Sequence, residues 1–475
     1  MKKFPDFDTY QMTDEKAKRL VDVQSCIQFL EKTGNLIRVK SEVDLKYELA
    51  GVAYKSYKSG SGKCLLFERV KGSEYPVLCG LLFSRDVAAS IFGMPKERVS
   101  MFMAGAIEKW RREKDKYPSE ILEKGPANEV IEKEVDLRNL PVPVHALEDG
   151  GRYFDASVMI VKNPETGIPN ISLRRFMVTQ KDRMTFLIDP ERHLGDYLEI
   201  AEKRNETLPI TLNTGMGLAV WFAATMPKQG DGKYGIANHM VERPINFIKA
   251  QSVDVPAFAD AQFVIEGEIL PNVREEEGPF GEVTGYYARV DKRWVMRVTG
   301  ITHRKNPVFH TILGGPESLV ATAFSGEGKM LQEVKKKVPQ VKAIYLSPGG
   351  GAYYQAVVQV ENDREGVGRD AIIETFNSFN PLQWVVAVDT DVDLYDEKDV
   401  NWAITTRFNV DNDLMIQKNR FGHILNPMVT INPDGKGGTI TKMGLDATAP
   451  YARRDELTRV AFQDVDLKNY DIVEP

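Results

Sequence analysis

Two glutamates separated by four residues, in Glu277-Gly-Pro-Phe-Gly-Glu282, form the densest concentration of reactive groups in this sequence. The intervening Gly and Pro force a sharp turn, which lets both carboxylates face one pocket. Such a pair suits acid/base chemistry, because one carboxylate raises its neighbour's pKa and keeps a proton available for delivery. On spacing alone the segment reads as a solvated turn, since it continues the charge run Arg274-Glu275-Glu276-Glu277. A second constellation, Asn170-Ile-Ser172-Leu173-Arg174-Arg175, sits in a strand-rich stretch that aims alternate side chains at one face. Arginine clamps a carboxylate because its planar fork donates two parallel hydrogen bonds; standing alone, this hexad reads as a surface ion pair. His193, in Pro190-Glu191-Arg192-His193, has the chemistry to ligate a metal or phosphate, although a solitary histidine is more often structural.

The elements that must position these groups fall into three stretches. Residues 22–33 place Cys26, Ile27, Leu30 and Thr33 on one helical face, with Gly34 as a left-handed stop before the strand Leu36–Val39. This αβ opening continues to residue 117, and a Pro/Gly/charge-rich passage leads to the extended Leu140-Pro-Val-Pro143. Short strand candidates then dominate to residue 315: Ala156–Val161, Arg175–Thr179, Phe263–Ile269 and Trp294–Thr302, the pattern of a β-barrel or sandwich. The twenty uncharged residues Leu208–Pro227 are broken by Thr, Asn, Gly and Pro, and read as a buried strand and turn rather than a membrane span. Beyond Gly314-Gly-Pro316 helices at 327–337, 368–378 and 397–406 alternate with strands Ala343–Leu346, Gln355–Val360 and Trp384–Val388, as in an α/β domain. Gly349-Gly-Gly351 leads into a strand where a dinucleotide fingerprint needs a helix, so it is assigned to a hairpin-like turn. The expected division is 1–117, 118–315, 316–450 and a charged tail 451–475, with weak helical signal from Glu456 to Val460, that packs on a partner subunit.

The chain has 475 residues, 42% of them hydrophobic and 27% charged, which excludes disordered, collagen-like and coiled-coil classes. Its net charge of −6 offers no general attraction to nucleic acid or anionic membrane. Cys26, Cys64 and Cys79 lack C-x-x-C spacing, and the first residues turn acidic where a secretory signal would be apolar, so a cytoplasmic protein is expected.

With these residues in view, the sequence resembles the UbiD family of decarboxylases, which depend on prenylated FMN. The resemblance is carried by Glu277-Gly-Pro-Phe-Gly-Glu282-Val-Thr-Gly-Tyr-Tyr and the preceding Phe263-Val-Ile-Glu-Gly-Glu-Ile-Leu. Asp136–Val142, Asp149-Gly-Gly-Arg-Tyr153, Asn170–Arg175, Ala224-Thr-Met-Pro227, Asp391-Val-Asp393 and Leu445–Pro450 add to it, in the family's order from about residue 22 to 450. It implies an N-terminal αβ domain, a central split-barrel flavin domain and a C-terminal α/β domain that mediates homo-oligomerisation, as a dimer or hexamer. It also reverses the reading of the acidic turn.

The family's catalytic arginine and two acids carry over onto Arg175, Glu277 and Glu282, and its cofactor site onto Asn170, Ser172, Leu173, Arg175, His193, Met226 and position 233. The family holds the cofactor phosphate with a metal on Asn, His and Glu; Asn170 and His193 match, but Lys233 stands at the glutamate's place in a loop one residue shorter. A family lysine in the C-terminal domain reads as Gln383. Three accounts stay open: Lys233 neutralises the phosphate directly; Asp231 swings in as ligand for Mn²⁺ or Mg²⁺, with K⁺; or the chain is a flavin-free assembly subunit. The implied activity is reversible decarboxylation of an aromatic or α,β-unsaturated carboxylic acid, Glu282 donating the proton and a flavin prenyltransferase supplying the cofactor. The alternative is net carboxylation of a phenolic compound within a multi-subunit complex. Arg192 and His310 are the substrate-contact candidates.

Overall fold

The computed structural model of the chain describes residues 10–188, 193–226, 229–433, 437–460, 462–463, 465 and 467–470. Contacts divide them into two compact units, Met1–Lys329 and Met330–Pro475.

The first unit opens as the sequence predicts. Asp22 caps the helix Val23–Lys32 by accepting from the amides of Gln24 and Ser25, and the helix buries Cys26, Ile27 and Leu30. Thr33 departs from the expected face: it is the exposed C-cap, and its hydroxyl donates to the Phe29 carbonyl instead of packing. Gly34, at φ +70°, turns the chain into the strand Leu36–Val39. That strand starts a four-stranded sheet with Cys64–Phe67 and Val77–Cys79, completed by Phe309–His310 from far along the chain.

The centre is a nine-stranded, curled half-barrel sheet whose outermost strands, Arg152–Phe154 and Pro169–Leu173, do not meet. Its two longest strands, Phe263–Glu277 and Asp291–His303, are both longer than the sequence suggests, the first about twice so; they pair antiparallel from Phe263 opposite His303 to Glu277 opposite Asp291. The charged half, Arg274 to Glu277, looks like loop by composition, and only cross-strand pairing makes it strand. One further expectation fails here: Leu208–Thr214 is a strand, but the following segment is the helix Leu218–Thr225 rather than a turn. Every residue from Leu218 to Ala224 is buried, and an all-apolar helix has no periodicity by which to recognise it. Gly217 before it is needed for close approach, since a Cβ there would lie 2.4 Å from the Leu20 carbonyl.

The second unit holds a six-stranded mixed sheet ordered Val341–Leu346, Gln355–Val360, Trp384–Asp389, Gly438–Ala447 and Leu414–Gly422, with Thr430–Ile431 beside Gly438–Ala447. Helices Val367–Ser378 and Glu397–Arg407 agree with the alternating pattern, and the glycine triplet forms the turn between two antiparallel strands. The helix predicted at 327–337 is the end of a longer one, Pro316–Lys335. The weak helical signal at Glu456–Val460 does not materialise: a 3₁₀ segment, Tyr451–Glu456, precedes it and nothing regular follows in 457–460.

Candidate active site

The strand Phe263–Glu277 ends at a buried carboxylate. Gly278 then takes φ +98°, a conformation that strains any residue with a Cβ, and Phe280–Gly281 forms a short ribbon with Tyr287–Ala288. The Glu282 amide donates to the Tyr286 carbonyl at 2.9 Å, which fixes the second acid on the same turn. Arg175 enters from the neighbouring part of the sheet, immediately before the strand Phe176–Gln180.

The turn's two acids converge on that arginine. Arg175 Nε donates to Glu277 Oε1 at 3.1 Å, and Nη1 donates to Glu282 Oε1. Its guanidinium also lies 4.4 Å from the centre of the Phe280 ring. Burial alone would make the guanidinium easier to deprotonate, but the carboxylates of Glu282 and Glu277 outweigh it and hold the pKa above the usual arginine value. The carboxylates therefore meet through a shared cation, rather than by facing each other across a pocket.

A second segment clasps the turn. Asp149 Oδ1 accepts from the Gly281 amide at 2.9 Å and Oδ2 from the Ala146 amide at 2.8 Å; the Gly150 amide donates to the Pro279 carbonyl at 2.8 Å. The approach demands glycine at 150, where a Cβ would stand 2.1 Å from the Gly278 oxygen. Tyr153 Oη reaches Glu277 Oε1 at 3.1 Å and the Pro279 carbonyl at 3.3 Å, and its ring meets Phe280 edge-on. Burial raises the pKa of Asp149 and, with Glu277 beside it, keeps Tyr153 a neutral hydroxyl. Sequence reasoning assigned these residues no role; the signal available was an acid beside a Gly-Gly pair in Asp149-Gly-Gly-Arg-Tyr153.

Along the strand from Arg175 lies a cavity of about 190 Å³, walled by Asn170, Ser172, His193, Thr225, Met226 and Lys233 among others. Leu173 lines it too, so every predicted cofactor residue except Arg175 is in its wall. Ser172 Oγ is buried there without a hydrogen-bond partner. Lys233 is 4% exposed, its Nζ donating to the carbonyls of Ala224 at 3.0 Å and Met226 at 2.9 Å. Asp231 is not in the wall. Burial pushes its carboxyl pKa up, but hydrogen bonds from Tyr197, Asn163 and Thr166 more than offset this and hold it below the usual value.

The remaining candidates are Arg192, His310 and Gln383. Arg192 lies outside the described residues. His310 is 2% exposed in the strand beside Val77–Cys79; burial brings its pKa down to about 4, and it does not line the cavity. Gln383 in the second unit accepts a hydrogen bond from Asn426.

Three family models match in succession: the 3-octaprenyl-4-hydroxybenzoate carboxy-lyase N-terminal domain over residues 27–103, the Rift-related domain over 120–317 and the C-terminal domain over 321–447. The chain belongs to the UbiD family of carboxy-lyases. A Rhodospirillum rubrum protein encoded in the cooM 5′ region is 40% identical to this UbiD chain, covering 96% of it and 97% of the relative. Anhydromevalonate phosphate decarboxylase of Methanosarcina mazei is 32% identical (90% and 96% covered), and gallate decarboxylase of Lactiplantibacillus plantarum 29% (89% and 93%). Among solved structures, the UbiD-class enzyme HmfF from Pelotomaculum thermopropionicum in complex with FMN matches with TM-score 0.87 and 35% identity, over 94% of this chain and all of that one. An evolved dimeric form of HmfF in complex with prFMN matches with TM-score 0.84 and 35% identity, over 94% and 99%.

The residues of this UbiD chain fit a flavin phosphate: an unpartnered buried hydroxyl and a buried ammonium in one cavity wall are donors suited to an anion. They do not fit a divalent metal. Among the described residues no group of three or more His, Cys, Asp or Glu side chains is placed to hold one, and Lys233 stands where the family resemblance implies the third ligand.

Proposed function

We propose that this UbiD-family chain catalyses reversible, non-oxidative decarboxylation of an aromatic or α,β-unsaturated carboxylic acid, with prenylated FMN held in the cavity between Asn170 and Lys233. The observation that carries this reading is the half-buried Arg175 gripped by both acids of the turn, beside a cavity with an unpartnered donor. When bound, the cofactor supplies the electron sink for carbon–carbon cleavage. The chain's own residues bind, orient and protonate. Arg175 clamps the substrate carboxylate through its fork, taking up contacts that Glu282 makes in the free site. Glu282 then donates a proton to the carbon that has lost CO2. Glu277, fully buried, keeps the guanidinium in plane, with Tyr153 and Asp149 fixing the turn. The gallate and anhydromevalonate phosphate relatives support a substrate class whose carboxylate sits on an unsaturated carbon.

The same reading includes domain limits near residues 118 and 316, a flavin prenyltransferase as cofactor supplier, and a homo-oligomer. The last is supported by the exposed apolar side chains Ile416, Phe421, Ile424, Met428 and Ile431 in the second unit, a density seldom left bare on a monomer. No described helix is long and apolar enough to cross a membrane. The test is protein co-expressed with a flavin prenyltransferase: a visible flavin spectrum and CO2 release from an unsaturated or aromatic acid are expected, and a colourless, empty chain would favour the assembly-subunit alternative.

A further inference from the structure

The loop 230–233 occupies the ligand atoms that a phosphate-site metal would need. His193 Nε2 accepts the Gly230 amide at 3.2 Å, and an imidazole nitrogen has one in-plane lone pair, so this bond uses the pair a metal would take. Asn170 Oδ1 accepts two amides, Ile171 at 3.0 Å and Lys233 at 3.3 Å, which fills both lone pairs of its carbonyl oxygen. The third place, a glutamate in the family's pattern, is Lys233, whose ammonium is held in the cavity wall by the carbonyls of Ala224 and Met226. Asp231, the remaining oxygen donor in the loop, receives hydrogen bonds from Tyr197 at 2.5 Å, Asn163 at 2.8 Å and Thr166 at 3.0 Å, and does not line the cavity. The structure thus separates two of the accounts that the sequence leaves open: the loop is closed around a lysine, with no carboxylate turned inward.

We propose that this chain binds its flavin without a divalent metal, the ammonium of Lys233 neutralising the cofactor phosphate directly and Ser172 Oγ donating to it. A flavin phosphate carries about −1.5 to −2 charge near neutral pH, and burying it demands a compensating positive charge. In a metal-loaded site that charge comes from the ion, and the protein supplies neutral or anionic ligands; here the protein supplies the cation itself. The Gly230 and Lys233 amides are already hydrogen-bonded to His193 Nε2 and Asn170 Oδ1, the atoms that would ligate such an ion. The inference rests on the proposed flavin site, and deepens it.

The test is equilibrium binding of FMN to the full-length apo-protein, followed by flavin fluorescence, in EDTA and again with added Mn²⁺, together with metal analysis of the purified holo-protein. Equal affinity in both buffers, within about twofold, and substoichiometric metal are expected. Lys233→Met should weaken FMN by about 100-fold or more, the scale on which an uncompensated buried charge acts. Lys233→Arg should recover most of the loss, and Asp231→Asn should leave affinity nearly unchanged. The wild-type comparison keeps the test decisive even where a variant folds poorly. FMN binding that appears only with Mn²⁺, or stoichiometric metal lost in Asp231→Asn, would overturn the proposal while leaving the flavin site intact. A wild-type chain that takes up neither FMN nor prenylated FMN in either buffer would overturn the functional reading as well.

Discussion

Each unit of this protein holds an arginine between two carboxylates, and the pair shows how little such a constellation says by itself. Arg175 bonds Glu277 and Glu282; Arg407 bonds Asp389 at 2.7 Å and Asp391 at 2.7 and 2.8 Å. Both guanidiniums lie near an aromatic ring, Phe280 in one case and Trp402 in the other. The difference is in what the acids do next. Asp389 also accepts the Ala449 amide, so the Arg407 cluster ties a helix end, a strand end and the following loop to one another. Asp391 is 42% exposed at its side chain, and solvent shares its charge. Around Arg175 the acids sit on a tight turn that a separate segment clasps, next to a cavity with an unpartnered hydroxyl. The Arg407 cluster joins elements to one another and lines no described cavity, although Asp389 Oδ1 is buried without a hydrogen-bond partner; the arrangement proposed for chemistry is braced from behind and borders a cavity.

Five substitutions test that contrast. The largest effect expected is from Glu282→Gln, which keeps shape but removes the transferable proton: turnover should fall roughly 10²- to 10⁴-fold with flavin still bound. A variant keeping more than about a tenth of the wild-type rate would remove Glu282 as proton donor. Arg175→Lys should lower kcat/KM by about 100-fold or more, because one ammonium cannot present two parallel donors to a carboxylate. Arg407→Lys should leave kcat/KM within about twofold, since its cluster only links elements. Equal losses at the two positions would erase the distinction.

Asp149→Asn sharpens it from behind the site. The amide keeps one acceptor for Ala146 or Gly281 but cannot serve both equally, so the turn should loosen. We expect kcat to fall about tenfold with KM and Tm little changed, on the scale of a misplaced catalytic group. An equal fall in Tm and unchanged kcat would make Asp149 merely structural. The smallest functional effect is expected from Arg407→Met, which should cost about 2 kcal/mol of stability, below the range for fully buried pairs because Asp391 is half exposed. That corresponds to a Tm fall of roughly 4–8 °C for a unit of this size, with activity retained below the transition.

Much of the site was legible in residue order. Glu277, Glu282 and Arg175 were singled out through the family resemblance, since spacing alone reads as a solvated turn and a surface ion pair, and the structure brings the three together; the apolar periodicity by itself places Val23–Lys32, Gln355–Val360 and Val367–Ser378 within a residue or so of their observed limits. These are local properties, decided by side-chain chemistry and repeat length. The helix Leu218–Thr225 was not legible, because uniform burial erases periodicity, nor was the strand half Arg274–Glu277, whose charged residues become strand only through pairing with Asp291–Trp294.

What the sequence by itself determined was which groups could react and the order of the three architectural stretches. Only the tertiary structure decided which groups meet: that both acids share one guanidinium, that Asp149 and Tyr153 brace their turn from more than a hundred residues away, that His310 is sealed beside Val77–Cys79, and that Lys233 faces the cavity while Asp231 is drawn off by Tyr197, Asn163 and Thr166. The physical reason is common to all four. Hydrogen bonds and ion pairs act over about 3 Å, and apart from the Ala224 and Met226 carbonyls that hold Lys233 the partners of these residues lie far away along the chain, so local propensity carries no record of the distance that chemistry needs.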